Sequence, residues 1–456
     1  MEKFDLAIIG AGPGGYVAAL YASRLGKRVA VIESGQLGGV CLNKGCIPTK
    51  TLLRSLQVLS NVKESSAFGI DVSSYSLNFK RMCGRKDEMV KRLRDGLDVL
   101  FNARKIMLIK GHGKLVGHNT IDVDGIKVEA QDIIIATGSR PLEVPAFEFD
   151  HKTIISSDDI LELNEIPESL LIIGGGAIGC EFASIYNQLG SNVTLIEAMP
   201  EILPTMDRET VKKLRLTFLV RQGVKVMVGT KVEAIHDTEN GIRALLDSYE
   251  EIEASKALIC VGRKANISNI GIEELGIQTR HGRIMVDHLL RTNIPNIRAI
   301  GDVVGMCQLA HVASYEGVVA CKNIFEGPHE VNYNAVPNCV YVEPELASVG
   351  ITEEKAAESG PDFTESKFYY SALGKANILA KTEGMIKIIG DSKTGRILGV
   401  HILGHDASIL IAEAVLAVKN NLTVNDLADT IHAHPTLPEG LMEAAHVFNG
   451  RGIHVL

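Results

Sequence analysis

The chain has no tryptophan among its 456 residues, and aromatic residues make up 5% of it. It lacks an apolar run of membrane-spanning length that is free of glycine and charge, and it shows no signal-peptide pattern before its first apolar segment. It also lacks an excess of basic residues: the formal net charge is −8, whereas nucleic-acid binding requires basic stripes. We therefore expect neither a membrane span nor a nucleic-acid partner.

Cysteine occurs eight times, without regular spacing, in a chain far longer than secreted disulfide scaffolds. A cytoplasmic protein with one catalytic disulfide fits this usage better. Hydrophobic residues make up 46% of the chain, which is ample for globular folding. The length predicts about two to four domains.

Two of the cysteines, Cys41 and Cys46, stand five positions apart in the stretch 38–50, GGVCLNKGCIPTK. In one ideal helix their Cα atoms would be roughly 8.7 Å apart, whereas a disulfide needs about 4.4–6.8 Å. A redox pair would therefore require a distorted turn, which Gly45 makes easy. Two unrelated buried cysteines are the alternative. A zinc site is disfavoured, because no second ligand pair follows, and no metal site is predicted.

A dinucleotide-binding pattern occupies the N-terminus. An apolar run at residues 4–9 leads into Gly10, Gly12 and Gly15, which form a GxGxxG motif, and a helical segment and a second apolar run then end in Glu33. The glycines let the backbone approach a pyrophosphate at a helix N-terminus, and the glutamate would accept hydrogen bonds from a ribose. A glycine turn without a ligand is the alternative.

The same pattern recurs with Gly174, Gly176, Gly179 and Glu197. Two complete units imply two nucleotide ligands, or an internal duplication with one inactive site. The carboxylate of Glu197 can bind a free ribose 2′-hydroxyl but repels a 2′-phosphate, and the first arginine after it is Arg208. NAD is therefore favoured over NADP.

Two further carboxylates have no distinctive pattern of their own. Glu181 follows the second glycine motif, where a solvated acid in the first helical turn, stabilised by the helix dipole, is one interpretation. Glu439 stands five positions after His434, and an isolated pair at this spacing is usually a surface pair.

The C-terminal pattern differs from that of the two nucleotide units. It predicts an α+β domain without a phosphate motif, with strands and then helices at residues 338–342, 385–389, 396–403, 407–419 and 424–430. Earlier in the chain, residues 85–102 predict a helix. Its apolar stripe, expected to face a core, consists of Met89, Leu93, Leu97 and Leu100.

The stretch 38–50 closely resembles the active-site signature of the pyridine nucleotide–disulfide oxidoreductases, and the chain is most similar to the dihydrolipoamide dehydrogenases among them. The resemblance covers essentially the full chain. It implies an α/β fold with two Rossmann-like dinucleotide-binding domains, for FAD and NAD, plus a C-terminal α+β dimerisation domain. The implied ranges are 1–145 and 269–334 for the two parts of the FAD-binding domain, 146–268 for the NAD-binding domain and 335–456 for the dimerisation domain.

The resemblance also implies the roles of the redox residues. A substrate thiolate attacks Cys41, and Cys46 passes the electrons to FAD. Lys50, which closes the signature, pairs with Glu181 beside the flavin and tunes it. His434 is the acid–base for substrate thiols, oriented by Glu439, and it reaches into the active site of the partner subunit.

Further positions are implied to contact the cofactors. In similar proteins they end strands or begin a helix beside the flavin or nicotinamide, and here they are Gly138, Gly262, Gly301, Asp302, Leu309 and Ala310. Asp302 would bind a ribityl hydroxyl of tightly bound FAD, and the helix beginning at Leu309 and Ala310 would stabilise the reduced flavin. Two positions depart from the family pattern: Ala265 replaces a frequent proline, and Pro438 replaces a small polar residue.

The implied activity is oxidation of protein-bound dihydrolipoamide with NAD⁺ as hydride acceptor. The implied assembly is a homodimer with an active site shared between chains, serving lipoyl domains of a 2-oxoacid dehydrogenase or a glycine cleavage system. Glutathione reductase is the nearest rival, although it usually takes NADP, which Glu197 opposes. A role mainly as an assembly subunit ranks low, because Cys41, Cys46, His434 and Glu439 are all present.

Overall fold

The structure, a computed structural model, describes residues 3–359 and 362–454. The chain divides into two compact units, each built from three segments. The first unit contains Met1–Leu142, Ser157–Glu165 and Gly262–Val331, and the second contains Glu143–Ser156, Ile166–Val261 and Asn332–Leu456. The four predicted domain ranges stay predictions.

The strands are β1 Lys3–Ile9, β2 Val29–Glu33, β3 Met107–Lys110, β4 Gly113–Gly117, β5 Thr120–Val123, β6 Ile126–Ile135, β7 Ser139–Pro141, β8 Ile154–Ile155, β9 Ser169–Ile173, β10 Asn192–Glu197, β11 Lys225–Val228, β12 Val232–Thr238, β13 Gly241–Leu246, β14 Glu251–Ala254, β15 Lys256–Ile259, β16 Arg263–Ala265, β17 Thr279–Arg280, β18 Arg283–Ile284, β19 Ile297–Ala299, β20 Asn338–Val340, β21 Glu345–Gly350, β22 Phe363–Tyr369, β23 Met385–Asp391 and β24 Ile397–Gly404. The helices are α1 Pro13–Arg24, α2 Gly39–Lys44, α3 Cys46–Glu64, α4 Phe79–Ala103, α5 Ala177–Leu189, α6 Arg208–Lys213, α7 Ala310–Phe325, α8 Glu353–Ser359, α9 Gly374–Ile378, α10 Ala407–Lys419, α11 Val424–Ala428 and α12 Glu439–Phe448.

The first unit is built on a sheet with the order β3-β2-β1-β6. Strand β6 is long: its first half pairs antiparallel with β5, and its last residues pair in parallel with β19. Alternate residues of β1 enter different cores, with Leu6 and Ile8 on one face and Ala7 and Ile9 on the other. Burial on both faces is why these strands are continuously apolar.

Helices α1 and α7 cover one face of this sheet and pack closely together. A Cβ added at Gly317 would lie 2.5 Å from the carbonyl oxygen of Gly14, so glycine is required where the two helices meet. This contact joins α1, near the N-terminus, to α7, which belongs to the last segment of the first unit.

The second unit repeats the parallel arrangement in a sheet with the order β11-β10-β9-β15-β8, beside the antiparallel sheet β12-β13-β14. Its C-terminal segment forms an antiparallel sheet with the order β20-β21-β24-β23-β22. Residues from β23, β24 and helices α10 to α12 share one apolar core, which includes Ile386, Ile402 and Leu441. The predicted α+β character of this segment is present.

Helix α4 corrects one prediction. The helix exists and is longer than predicted, but Leu93 and Leu100 of the expected core stripe are exposed. The buried residues of α4 are Lys86, Val90 and Phe101, so the covered face is rotated relative to the stripe. Lys86 shares this face because its ammonium donates to the carbonyl oxygen of Leu161, at 2.7 Å, and the aliphatic stem packs inside.

Among the described residues, no helix is both long and apolar enough to cross a membrane.

Candidate active site

The two predicted redox cysteines lie on either side of a break between helices. Helix α2 ends at Lys44 and α3 begins at Cys46, and Gly45 between them has φ −146° and ψ −108°. The predicted distortion at Gly45 is therefore confirmed. The side chains of Cys41 and Cys46 are joined by a hydrogen bond.

The environment of the pair opposes ionisation of Cys41. The hydrogen bond with Cys46, burial and the charge of Cys46 raise the pKa of the Cys41 thiol, and the Lys50 ammonium partly offsets them. Lys50 thus acts on Cys41 as a positive charge within the same unit. Burial and the charges of Cys41 and Cys46 raise the pKa of the Tyr16 phenol on α1. No sequence pattern had indicated Tyr16 as part of this site.

The redox stretch is anchored on the first glycine motif. The N–H of Gly38 donates to the carbonyl oxygen of Ala11 at 2.9 Å. A Cβ added at Gly39, which has φ +61°, would lie 2.5 Å from Cα of Gly12. Two glycines therefore precede Cys41 because the start of α2 touches the dinucleotide loop.

The glycines of the two motifs occupy equivalent places. Gly10 and Gly174 have φ +103° and +106°, and a Cβ added at either would meet a backbone carbonyl oxygen at 2.3 or 2.5 Å. A Cβ at Gly15 or Gly179 would meet the carbonyl oxygen of the first glycine of its motif at 1.9 Å. These residues close the turn between strand and helix.

The middle glycines face open space. At Gly176 an added Cβ would meet nothing within 4 Å, and at Gly12 the nearest atom is Cα of Gly39 at 3.9 Å. Both residues precede the first turn of a helix, α1 or α5, where backbone N–H groups favour an anion. A pyrophosphate fits both places, which is the arrangement expected for two dinucleotide sites.

The predicted ribose acids are also equivalent to each other. Glu33 accepts hydrogen bonds from the N–H of Ala11 at 2.7 Å and from the N–H two positions after itself at 2.6 Å. Glu197 accepts from the N–H of Gly175 at 2.7 Å and from the N–H two positions after itself at 2.8 Å. Each carboxylate ties its glycine loop to the end of the neighbouring strand, and each retains lone pairs for a further donor.

Asp302 lies in a polar cluster of the first unit. Its carboxylate accepts from the Ser139 hydroxyl at 2.5 Å, and the Arg263 guanidinium donates to the same hydroxyl at 2.8 Å. The chain turns sharply beside these residues at Gly138, Gly262 and Gly301, all of which have positive φ. The cluster holds Asp302 in place while part of its side chain stays exposed.

An unpartnered donor lies just before α7, whose first turn was predicted to face the flavin. Leu309 and Ala310 form the start of this helix. The side-chain Nε2 of Gln308 is buried and has no hydrogen-bond partner among the described residues. A buried orphan donor is costly unless a ligand pairs with it. These features of the first unit fit FAD, and Gln308 becomes a candidate contact for it that the predicted site residues did not include.

Glu181 is a buried acid of the second unit. It is 5% exposed and accepts a hydrogen bond from the N–H of Tyr341 at 3.1 Å. The interpretation of Glu181 as a solvated first-turn acid is therefore wrong. Its pairing with Lys50 stays a prediction.

His434 and Glu439 are in direct contact. Nδ1 of His434 lies 2.8 Å from Oε1 of Glu439, and the N–H of Thr436 donates to Oε2 at 2.7 Å. Burial would raise the pKa of Glu439, but the Thr436 N–H and His434 more than offset it, so the pKa is lowered. Pro438 is compatible with this geometry, because its φ of −54° suits the start of α12. The His434 side chain is 78% exposed.

Comparisons with known proteins place the chain. The sequence profile of the family described as "Pyridine nucleotide-disulphide oxidoreductase" matches residues 4–317, and that of its dimerisation domain matches residues 336–445. A dihydrolipoyl dehydrogenase of Thermus scotoductus is 42% identical over 100% of both chains. One of Chlamydia muridarum is 41% identical over 97% of this chain and 96% of its own.

Solved structures with a similar fold support the same family assignment. The HOCl-induced flavoprotein disulfide reductase RclA from Escherichia coli, in its Cu(II) complex, superposes with a TM-score of 0.89 at 31% identity, covering 98% of this chain and 100% of its own. LpdA from Mycobacterium tuberculosis gives 0.91 at 26% identity, covering 98% and 99%. The predicted α/β fold with its dimerisation domain, the oxidoreductase class and the likeness to dihydrolipoyl dehydrogenases are confirmed. The chain belongs to the pyridine nucleotide-disulphide oxidoreductase family.

Proposed function

We propose that this chain oxidises protein-bound dihydrolipoamide to lipoamide and passes the electrons to NAD⁺. The observation that carries the proposal is the Cys41–Cys46 pair at the break between α2 and α3, anchored on a dinucleotide loop. Full-length relatives named dihydrolipoyl dehydrogenase support the choice of substrate.

The chemistry is thiol–disulfide exchange. With the enzyme pair oxidised, His434 takes the proton of one substrate thiol, and the thiolate attacks Sγ of Cys41. The bond between Cys41 and Cys46 breaks, and a mixed disulfide forms. The second substrate thiol then displaces Cys41 and closes the lipoamide disulfide. The substrate has lost two electrons, and the enzyme pair has become a dithiol.

The cofactor sites follow from the two glycine loops. In the first unit, Gly10, Gly12, Gly15 and Glu33 would hold the adenosine end of FAD. Closer to the flavin would lie Lys50, Gly138, Gly262, Gly301, Asp302, Leu309 and Ala310. Bound FAD supplies two-electron transfer between the dithiol and the nicotinamide.

In the second unit, Gly174, Gly176, Gly179 and Glu197 would hold NAD. The specificity for NAD is supported by Arg215, a later arginine of this unit. Its guanidinium is held by the Glu201 carboxylate, with hydrogen bonds of 2.6 and 3.0 Å, and so is not presented to a 2′-phosphate.

We further propose a homodimer in which His434 and Glu439 of one chain serve the cysteines of the other. Both residues lie inside the segment that matches the family's dimerisation domain, and the His434 side chain is largely exposed in the single chain. Lipoyl domains of a 2-oxoacid dehydrogenase or glycine cleavage system are the proposed substrate carriers. The cytoplasmic location stays a prediction from the sequence.

The deciding experiment is anaerobic turnover of the FAD-loaded protein with dihydrolipoamide, following NADH absorbance. We expect rapid NADH formation with NAD⁺. With NADP⁺ the value of kcat/KM should be lower by more than about 100-fold, because like charges brought together at Glu197 cost several kcal/mol. No turnover of dihydrolipoamide, with NADPH-dependent reduction of glutathione disulfide instead, would contradict the proposal and favour the glutathione-reductase alternative.

Substitution His434→Gln tests the proposed base. We expect kcat for dihydrolipoamide to fall by about 10²–10⁴-fold, the usual contribution of a general acid–base. The NADH-dependent reduction of ferricyanide, which needs no substrate thiol deprotonated, should stay near the wild-type rate. His446→Gln, on the last turn of α12, is the matched control and should leave both rates unchanged. Unaltered dihydrolipoamide turnover in His434→Gln would exclude this histidine as the base.

A further inference from the structure

The side chain of Gln308 carries a hydrogen-bond donor that the protein itself does not satisfy. Its Nε2 atom is buried and has no hydrogen-bond partner among the described residues, although the residue as a whole is only partly buried. A carboxamide nitrogen donates and does not accept. An unpaired buried donor lowers stability, and a bound molecule that presents an acceptor removes this penalty.

Gln308 lies at the end of a helix that borders the first glycine motif. It directly precedes Leu309, the N-cap residue of α7, and the helix begins at Ala310. About one turn further along, the Ser314 hydroxyl donates to the carbonyl oxygen of Pro13, the first residue of α1, at 3.4 Å. The start of α7 is therefore in contact with the start of the helix that follows the first glycine motif.

The same part of α7 is tied to the turn that contains Asp302. Oε2 of Glu316, a residue that is 1% exposed, accepts a hydrogen bond from the N–H of Gly301 at 2.5 Å. A Cβ added at Gly301 would lie 3.2 Å from Cβ of Ala313. The unpaired donor of Gln308 thus belongs to a helix end that contacts two parts of the proposed FAD site, the glycine motif and the Asp302 turn.

The start of α7 favours a negatively charged or electron-rich ligand. In the part of the chain that the structure describes, no side chain caps this helix start, and its first turn contains no acid. Backbone N–H groups at a helix N-terminus favour negative charge. The buried amide donor of Gln308 adds to this preference. A flavin ring presents oxygen and nitrogen acceptors, and its reduction by two electrons adds negative charge to them.

We propose that Nε2 of Gln308 donates a hydrogen bond to the ring of bound FAD and stabilises the reduced ring. The inference rests on the proposed function, because it takes FAD as the ligand of the first unit. A hydrogen bond to a charged acceptor is stronger than one to a neutral acceptor, so the contact favours reduction. Without FAD the same donor is unpaired and destabilises the apoprotein.

Gln308→Met removes the donor and keeps a side chain of similar length. We expect FAD to bind about three- to tenfold more weakly, measured by titrating apoprotein with FAD and following flavin fluorescence. We also expect the equilibrium constant for flavin reduction to fall by about tenfold, which lowers the midpoint potential by about 30 mV for a two-electron couple. Anaerobic equilibration with a reference dye measures this potential. The thermal midpoint of the apoprotein should not fall, because the variant leaves no donor unpaired.

Gln308→Glu distinguishes a donor from an acceptor at this place. A carboxylate cannot donate and brings a negative charge to the reduced ring, so the potential should fall further than in Gln308→Met. If the amide oxygen faced the ring instead, glutamate would preserve the contact, and an unchanged potential would overturn the assignment of Nε2. Gln278→Met, at an exposed position before β17, is the matched control and should leave FAD affinity and potential unchanged.

The outcomes separate the role of Gln308 from the proposed reaction, because none of these measurements needs dihydrolipoamide. Wild-type FAD affinity and potential in Gln308→Met would show that a group other than the flavin satisfies the donor, and would overturn the proposal. Weaker FAD binding with an unchanged potential would show a binding contact only and overturn the stabilisation of the reduced ring. A wild-type protein that binds FAD but does not oxidise dihydrolipoamide would overturn the proposed reaction alone, whereas one that binds no FAD would overturn both.

Discussion

Cys41→Ser is expected to lower dihydrolipoamide turnover by more than about 1,000-fold, because a hydroxyl cannot replace a sulfur that must form and break disulfides. The loss should be confined to the step in which the cysteine pair oxidises dihydrolipoamide. The glycine loop and the Asp302 cluster do not involve the Cys41 sulfur, so the variant should stay yellow with bound FAD. The measurements are anaerobic NADH formation and the flavin spectrum.

A matched control comes from Cys83 on α4, whose thiol makes a long contact, 3.7 Å, with the carbonyl oxygen of Leu163. Cys83→Ser should keep wild-type turnover. Normal turnover in Cys41→Ser would show that the assignment of Cys41 is wrong. Loss of the flavin together with the activity would instead show that Cys41 supports the cofactor site, contrary to this prediction.

Lys387→Met is expected to lower the free energy of unfolding by about 3–5 kcal/mol, the usual effect of removing one partner from a buried ion pair. Lys387 lies on β23 and is fully buried. Its ammonium is 3.1 Å from Oδ2 of Asp207, which is also fully buried, and 3.0 Å from Oε2 of Glu209. It also contacts Glu353 and lies 3.4 Å from Glu365.

The carboxylates around Lys387 would repel one another without it. Oxygens of Glu209, Glu353 and Glu365 lie within 4.8 Å of one another, a spacing that could also hold a metal ion. The chain instead supplies its own cation at this place. Methionine would leave Asp207 as a buried charge without the ammonium. Of the three glutamates, Glu209 and Glu365 would keep the Lys367 ammonium as a counter-ion, at 2.8 and 3.0 Å.

The pH dependence of this contribution follows from the direction of each pKa. Burial would lower the pKa of Lys387, but Glu353, Asp207 and Glu209 raise it overall, so its contribution is lost only when pH rises above the ordinary lysine value of about 10.4. Burial would raise the pKa of Asp207, but His401 and Lys387 lower it overall, so its contribution is lost only when pH falls below about 3.9. Burial and the Lys387 charge lower the pKa of His401, so the variant also changes the titration of this histidine below its ordinary pKa of about 6.5. The difference between wild type and variant should therefore be constant from about pH 7.5 to 9.

Urea unfolding followed by circular dichroism measures the effect of Lys387→Met. The control is Lys393→Met in the turn after β23, where an 80% exposed side chain lies 3.3 Å from Asp362. An exposed pair contributes about 0–1 kcal/mol, so this variant should stay close to wild type. Equal stability of Lys387→Met and Lys393→Met would contradict the prediction. Partial recovery in the double variant Lys387→Met/Asp207→Asn would identify the buried aspartate as the source of the loss.

The sequence predicted the features that local chemistry determines. The glycines of both motifs, the break at Gly45 and the contact of His434 with Glu439 each follow from residues close together in the chain. The roles of these residues came from the family resemblance. Spacing alone had left the cysteine pair and the His–Glu pair open.

The features that were missed depend on contacts between distant segments. Asp207 and Lys387 are 180 positions apart, and neither has a neighbour in the sequence that indicates the pairing. The orphan amide of Gln308 likewise appears only when the chain is folded. The stripe on α4 was wrong because periodicity identifies a helix, whereas the surrounding elements decide which face they cover.

The Glu197 carboxylate has a consequence for redesign of cofactor preference. It accepts hydrogen bonds from the N–H groups of Gly175 and Met199, so it supports the loop in addition to its proposed role in selecting the ribose. A change of Glu197 to a basic or small residue would admit a 2′-phosphate and remove both supports at once. A variant that accepts NADP must therefore lose the negative charge at position 197 and still accept these two hydrogen bonds. A neutral acceptor, such as an amide oxygen, would meet both requirements.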